Sequence, residues 1–376
     1  MLYLFVSCWT HGAGRGGIAQ YAADPETGTL ELLRVIDGET DFGTVFLDRE
    51  RSILYALNET AALPPHKSAG GGRIFSYCLD PETGAAEKLG ETPTWCPNPS
   101  YFGLDPARRF AVVSNHSGRA AATKLVRDGD GFRPEIVTDD AVVELFALNA
   151  DGSVGALLDA DWHTGHGPGA RQDGPHPHCA VASPDGRLFA VCDKGNDGVY
   201  LYTPDGRSLG TPRVTQAAPG SMPRYACFHP EKPFFYHNNE GSAVVCAYHY
   251  DADGALTPIG EFAALPEGSD GKSCIQQDLL MHPSGRVVYD LVNGADCVSV
   301  FAVDGGTGAL HLVQSCPAGY AWPRGIALSP DGRFAAVACL RGGKLVIFSV
   351  EPDGTLCPTG LEYDRPDAAA PLYWQT

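Results

Sequence analysis

RGIALSPDGRFAAVACL, residues 324–340, reads as a short apolar strand ending at a serine-proline step, a Pro-Asp-Gly turn, and a second apolar strand. The phrase recurs as YFGLDPARRFAVVSN (101–115), HCAVASPDGRLFAVCD (178–193), RYACFHPEKPFFYHNNE (224–240) and DLLMHPSGRVVYDLVN (278–293), with a looser copy, VFLDRERSILYALNE, at 45–59. Copies lead into a third strand, such as RIFSYCLD, GVYLYTPD, AVVCAYHY, CVSVFAVD or KLVIFSVE, and then usually a weaker fourth. Pro-Asp-Gly, Pro-Glu-Thr-Gly and Asp-Gly pieces separate the strands, as tight hairpins require. The repeating unit is thus a four-stranded antiparallel sheet with the period of a propeller blade, about 40 to 50 residues.

Six full units are headed near Phe42, Tyr101, His178, Arg224, Gln277 and Arg324. Ahead of them, strands at 2–9, 17–24 and 30–37 lack an innermost partner, and the apolar run PLYWQ at 371–375 is suited to supply it. The expected fold is all-β: one seven-bladed β-propeller domain over residues 1–376, each blade of four antiparallel strands, closed by both chain ends so that no sheet edge stays open. A polar loop at 60–72, extra length at 117–144 and a Gly- and His-rich stretch at 161–178 break the period. GAGRGG at 12–17 joins two strands and opens no helix, so it reads as a flexible hairpin and not as a phosphate loop.

With 376 residues, 44% hydrophobic and 19% charged, the chain can bury a large core. Its net charge of -18 repels nucleic acid and anionic membranes. An anionic substrate would need a locally basic pocket, which makes the positions of the arginines informative. The start, MLYLFVSCWT, lacks a basic region before its apolar stretch, and no apolar run reaches the roughly 20 residues that span a bilayer. The 12 cysteines include no C-x-x-C pair and many sit in strand-like runs, so a reducing, cytoplasmic location is expected, with the sequons at Asn58 and Asn115 unused.

The proline that ends each innermost strand serves as a ruler. Six places before it stand Ser100, His178, Arg224, Gln277 and Arg324. Innermost strands line a propeller's channel, so these polar residues form a ring near one opening, suited to an oxygen-rich anion; the competing reading is a wet channel wall with solvated arginines. A second register at the ends of the next strands gives Glu59, Asn115, Asp193, Glu240, Asn293 and Arg341 or its neighbours. Glu240 is the candidate general base, or else a strand-end carboxylate paired with Arg224. In DADWHTGHGPGARQDGPHPH (159–178), no carboxylate or cysteine completes a metal-binding spacing around His163, His166, His176 and His178. That tract reads as a loop folded over a pocket, and neither metal nor other cofactor is expected. There is no G-x-S-x-G elbow, P-loop or dinucleotide fingerprint.

GHGPGARQDGPHPHCAVASPDGRLFAVCDKGNDGVYLY (165–202), with its Arg171-Gln172 pair and Pro-His-x-His strand entry, resembles the lactonase family of seven-bladed propellers, which includes bacterial 6-phosphogluconolactonases and fungal carboxy-muconate cyclases. SMPRYACFHPEKPFFYHNNE (221–240) and AWPRGIALSPDGRFAAVACL (321–340) match two further family strands, and the resemblance covers nearly the whole chain. It implies His178, Arg224 and Glu240 as active-site residues; Arg324, Gln277, Asp278, Arg171, His176 and Arg341, from the ring, the loop and the neighbouring registers, are the candidates for binding substrate. Three places depart from the family pattern. Val292 and Asn293 stand where the family has Asn-Arg, Leu280 stands where it has His (Asp278 keeps the acidic position), and NHSGR with its following insertion replaces Asn-Tyr-x-x-Gly.

The implied activity is metal-free hydrolysis of a sugar lactone, 6-phosphoglucono-1,5-lactone foremost, within the pentose phosphate pathway. Glu240 or His178 would activate water, Arg224 and Arg324 would stabilise the oxyanion, and a remaining arginine would hold a phosphate or carboxylate. Two other readings stand beside it: a lactonising cyclase acting on an unsaturated dicarboxylate, and a non-enzymatic ligand or protein platform. The platform would show a large exposed apolar patch and no convergent acid, base and arginine set.

Overall fold

A computed structural model describes residues 1–11, 15–62, 69–117, 121–269, 271 and 273–376. Parts of the 12–17 hairpin, the 60–72 loop and the 117–144 insertion therefore lie outside the described residues. Seven four-stranded antiparallel sheets form a β-propeller, and no helix occurs among the described residues. From the channel outward, blade 1 contains Thr44–Asp48, Ile53–Asn58, Arg73–Leu79 and Ala86–Pro93, and blade 2 contains Pro99–Leu104, Phe110–Asn115, Val142–Leu148 and Val154–Trp162. The innermost strands of blades 3 to 6 are Val181–Ala182, Pro223–Phe228, Ile275–Met281 and Pro323–Leu328. Blade 7 takes Ala368–Gln375 as its innermost strand, followed by Leu2–Cys8, Ile18–Ala23 and Leu30–Ile36. The proposed closing strand is thus present and begins three residues earlier than the PLYWQ run.

The hairpins follow from local chemistry. In both DPETG turns the aspartate, Asp24 or Asp80, accepts the N–H groups two and three residues on, and a glycine with φ near +70° completes the reversal. A Cβ on Gly84 would sit 2.6 Å from the ring of Tyr3, so this turn also requires glycine for its packing against blade 7.

Second strands are buried along their length, as in Phe110–Asn115 and Phe234–Asn239, whereas the outermost Leu30–Ile36 is largely exposed. The core accordingly lies between blades. Tyr3, Phe5, Ile18 and Trp374 of blade 7 pack on Phe42, Leu54, Phe75 and Tyr77 of blade 1, and comparable layers follow around the ring. Tyrosines latch successive blades at the turns: Tyr55, Tyr236 and Tyr289 donate to the carbonyls of Gly152, Gly308 and Gly354.

The insertion is shorter than its sequence bounds suggest. Ala121–Asp128 pairs with Gly131–Thr138 as a self-contained hairpin, and Glu144 already belongs to the third strand of blade 2. Its side chain turns into the blade, where it is buried and bonded to Asn115.

Candidate active site

The ring residues owe their direction to β-bulges. Pairing of the innermost with the second strand shifts between Pro99 and Tyr101, Pro223 and Ala226, Gln276 and Leu279, and Pro323 and Gly325. Ser100, Arg224, Gln277 and Arg324 lie within these shifts. A bulge sets two residues against one and re-aims the side chain. Asn98, Met222 and Trp322, each directly before a proline, take φ of 53°, 60° and 65°. Such left-handed conformations are costly for residues with a side chain and recur at functional sites. All five ring residues are buried, and the ring positions are stitched to their neighbours. Thr44 Oγ1 donates to the Ser100 carbonyl (3.2 Å), Ser100 Oγ to that of His178 (3.0 Å), Arg224 to that of Gln276 (3.2 Å), and Arg324 to that of Gly43 (2.9 Å).

Between blades 3 and 4, Glu240 forms the ionic centre. Its Oε1 lies 2.6 Å from Arg171, and its Oε2 lies 3.0 Å from Lys194 and 3.3 Å from Arg224. Burial works against its charge, but Lys194, Arg224 and Arg171 outweigh that and hold the carboxyl well below the usual range. Across the channel Glu59 is the counterpart, 3.3 Å from Arg324 and 3.4 Å from His116, and its carboxyl is likewise lowered. The Arg324 guanidinium also lies over the ring of Trp9, 4.2 Å from its centroid. Blade 7, which has Ala368 and Ala369 at the start of its innermost strand, leaves room for this reach.

His178 stacks on His116 with centroids 5.4 Å apart and packs at 5.1 Å from Tyr225. Burial, followed by the charges of Arg224 and Lys194, drives its pKa well below that of a free imidazole, so it is neutral at pH 7, and its Nδ1 has no hydrogen-bond partner. Trp9 Nε1, Thr10 Oγ1, His116 Nδ1 and Arg224 Nε are also buried without partners. Polar atoms left without a protein partner in the channel are open to water or to the oxygens of a ligand. Asp278 keeps some accessible surface while enclosed by protein. Burial raises its pKa to about 6, against the pull of the Ile326 and Leu279 N–H groups and the two ring arginines.

His178, Arg224, Gln277, Arg324 and Asp278 thus come together in the channel, with Glu240 and Arg171 at one side. Two candidates are placed elsewhere. His176 is buried with both ring nitrogens on protein, 3.1 Å from the His116 carbonyl and 3.2 Å from Asp173, so it shapes the loop and backs His116. Arg341 is exposed and lies flat on Trp322, 3.5 Å from the ring centroid. Asn293, at the position of the absent family arginine, is buried where its amide bridges Trp322 Nε1 (2.9 Å), Gln277 (3.2 Å) and the Pro323 carbonyl (2.7 Å).

The second register needs correction. Ten places after the ruler proline, or Arg49 in the first unit, stand Glu59, His116, Lys194, Glu240, Asn293 and Leu340. Asn115 and Asp193 are one residue early and Arg341 one late. Asp193 holds the loop instead, through His163 (2.7 Å) and the N–H groups of His176, Gly195 and Asn196. His116 and Lys194 are the site residues that the misplaced register passed over. Among the described residues, no group of three or more His, Cys, Asp or Glu side chains is arranged to hold a metal ion.

The family profile described as "Lactonase, 7-bladed beta-propeller" matches residues 3–369. A 6-phosphogluconolactonase of Bacillus subtilis is 26% identical over 96% of both chains, and one of Formosa agariphila is 24% identical over 92% of this chain and 91% of its own. Among solved structures, a periplasmic gluconolactonase of Pseudomonas aeruginosa superposes with a TM-score of 0.84 at 26% identity, covering 99% of each chain.

Proposed function

Because the chain belongs to the lactonase family of seven-bladed β-propellers, we propose that it hydrolyses a sugar lactone, 6-phosphoglucono-1,5-lactone foremost, at the channel mouth. The observation that carries the reading is the division of labour around Arg224. Glu240 has both oxygens committed to three cations, whereas His178 is neutral and has a ring nitrogen with no protein partner. In the proposed reaction His178 takes a proton from water as the oxygen adds to the lactone carbonyl, and Arg224, seconded by Arg324, stabilises the oxyanion. The tetrahedral intermediate then expels the ring oxygen, which takes the proton back from the imidazolium. The product is the open hydroxy acid, with its carboxylate beside the arginines.

Preference for an anionic lactone is supported by local charge. Arg171, Lys194, Arg224 and Arg324 face Glu240 and Glu59, a surplus of two positive charges of which ionised Asp278 takes back one, within a chain of net charge -18. A passive binding platform gives no reason for this convergence of acids, bases and arginines. A cytoplasmic location belongs to the same proposal, supported by 12 free cysteines, nine of them buried.

The test is hydrolysis of 6-phosphogluconolactone, of the unphosphorylated lactone, and, for cyclase activity, of the lactonising reaction on an unsaturated dicarboxylate. We expect the phosphorylated lactone to be turned over fastest, with His178→Ala losing about 10² to 10⁴ in kcat. No rate above spontaneous opening sinks the proposal. An unchanged His178→Ala removes the base, and equal kcat/KM on the two lactones removes the phosphate preference.

A further inference from the structure

The bulges that aim Arg224 and Gln277 leave backbone groups without ladder partners. Arg224 and Tyr225 stand against Asn238 alone, and in blade 5 Gln277 and Asp278 stand against Leu291. Buried groups of this kind need partners from elsewhere. The Tyr225 N–H donates to Asn238 Oδ1 (2.9 Å), and Asn238 Nδ2 donates to the Gln277 carbonyl in the next blade (2.9 Å). The same Nδ2 donates to Asp290 Oδ1 (2.8 Å), and Asp290 Oδ2 accepts from Gln276 Nε2. Gln276 Oε1 in turn accepts the N–H groups of Asn239 and Val244, each at 3.0 Å. The circuit returns to the site where the Gln276 carbonyl accepts from Arg224 (3.2 Å). Asn238, Asp290 and Gln276 are all fully buried.

We propose that Asn238 is a positioning residue for this site: one amide replaces the partners given up by the bulges of two adjacent blades, and thereby fixes where Arg224 and Gln277 point. Asp290 orients that amide, and Gln276 locks Asp290. Ser7 plays a weaker version of this part where blade 7 meets blade 1, accepting the Ala370 N–H (3.1 Å) and reaching the Gly43 carbonyl at 3.5 Å, whereas Asn238 makes both bonds at 2.9 Å and is itself oriented by Asp290. The Asn238 side chain bonds to the Tyr225 N–H, the Gln277 carbonyl and Asp290 rather than to the channel ions, so its effect on chemistry passes through the backbone.

The kinetic half of the test rests on the lactonase reading; the structural half does not. Asn238→Asp keeps an acceptor for Tyr225, removes the donor to Gln277 and opposes two carboxyls. Adding Asp290→Asn restores a donor and acceptor between the two side chains but leaves the Gln277 carbonyl unserved. We expect Asn238→Asp to lose both thermal stability and turnover. The exchanged pair should recover the wild-type Tm while kcat stays about 10- to 100-fold down with little change in KM, as displacement of a catalytic group by about 1 Å would produce. Recovery of both overturns the proposal, as does an Asn238→Asp enzyme with unchanged kcat.

A crystal structure of the exchanged pair gives a readout free of activity. The two bulges should relax and Arg224 should leave its 3.3 Å contact with Glu240. Bulges that remain intact overturn the proposal even if the wild type opens no lactone, a result that would itself count only against the proposed function. Should neither variant fold, Asn238→Ser, which buries no charge, is judged by the same criteria.

Discussion

Asp278 is where burial and bonding pull a carboxyl in opposite directions, and burial wins, raising its pKa to about 6. The unfolded chain gives up this proton near pH 4. Between about pH 4 and 6 the folded state therefore binds more protons, and Asp278 makes stability fall as pH rises through that window. Compared with Asp278→Asn, wild type should lose on the order of 2 kcal/mol across the window, read by urea unfolding at each pH. If the proposed lactone site is right, Asp278 titrates beside the ring arginines, and an inflection near pH 6 in kcat/KM should vanish in the variant. Glu240 has the opposite sign. Its carboxyl is depressed, so its stabilisation is present above the usual carboxylate range and is lost only in stronger acid. Glu240→Gln strands three cations at one point and should cost about 3 to 5 kcal/mol at pH 7, with most of that deficit persisting at pH 3. A deficit that disappears by pH 4 would mean that the three cations do not hold the carboxyl down.

At the scale of strands and turns, legibility followed the markers available. Proline fixed the innermost strands, so Ser100, His178, Arg224, Gln277 and Arg324 fell in register and all proved buried around the channel. No residue type marks the end of the second strand. Polar residues stand side by side there, so Asn115 and Asp193 compete with His116 and Lys194 for the register, and a slip of one turns a side chain to the opposite face. Asn238 was invisible for a different reason: its role depends on which backbone groups two bulges free, and bulges leave no reliable mark in a single sequence. The inserted hairpin was detected as broken period but its bounds were not. It exposes Leu125, Phe132 and Ile136 and pairs only with itself. Replacing residues 121–138 with a short glycine linker should therefore shift Tm by less than about 2 °C, roughly the effect of 1 kcal/mol in a chain of this size. A larger loss would show that the hairpin covers part of the ring.

For the whole molecule, stability rests on closure, because each blade buries its core against two neighbours. Ala368–Gln375 pairs with Leu2–Cys8 and brings Trp374 and Tyr373 into two different layers, one toward blade 1 and one toward blade 6. Trp374→Ala should cost about 3 to 5 kcal/mol, as removal of a buried aromatic does. A chain ending at residue 366 should fare worse, since it opens both layers and leaves an unpaired innermost strand edge for other chains to join. The site would fail with it, because Ser7 bonds both the Ala370 N–H and, more distantly, the Gly43 carbonyl that also receives Arg324. Supplying residues 367–376 as a peptide should then restore soluble protein and activity together, since added strands bind through main-chain bonds with side chains setting the register. Measured by circular dichroism and lactone turnover across a peptide titration, the two signals should rise in parallel. If the truncated chain is already folded and active, the ring does not depend on its last strand and the blades are more autonomous than their shared cores indicate.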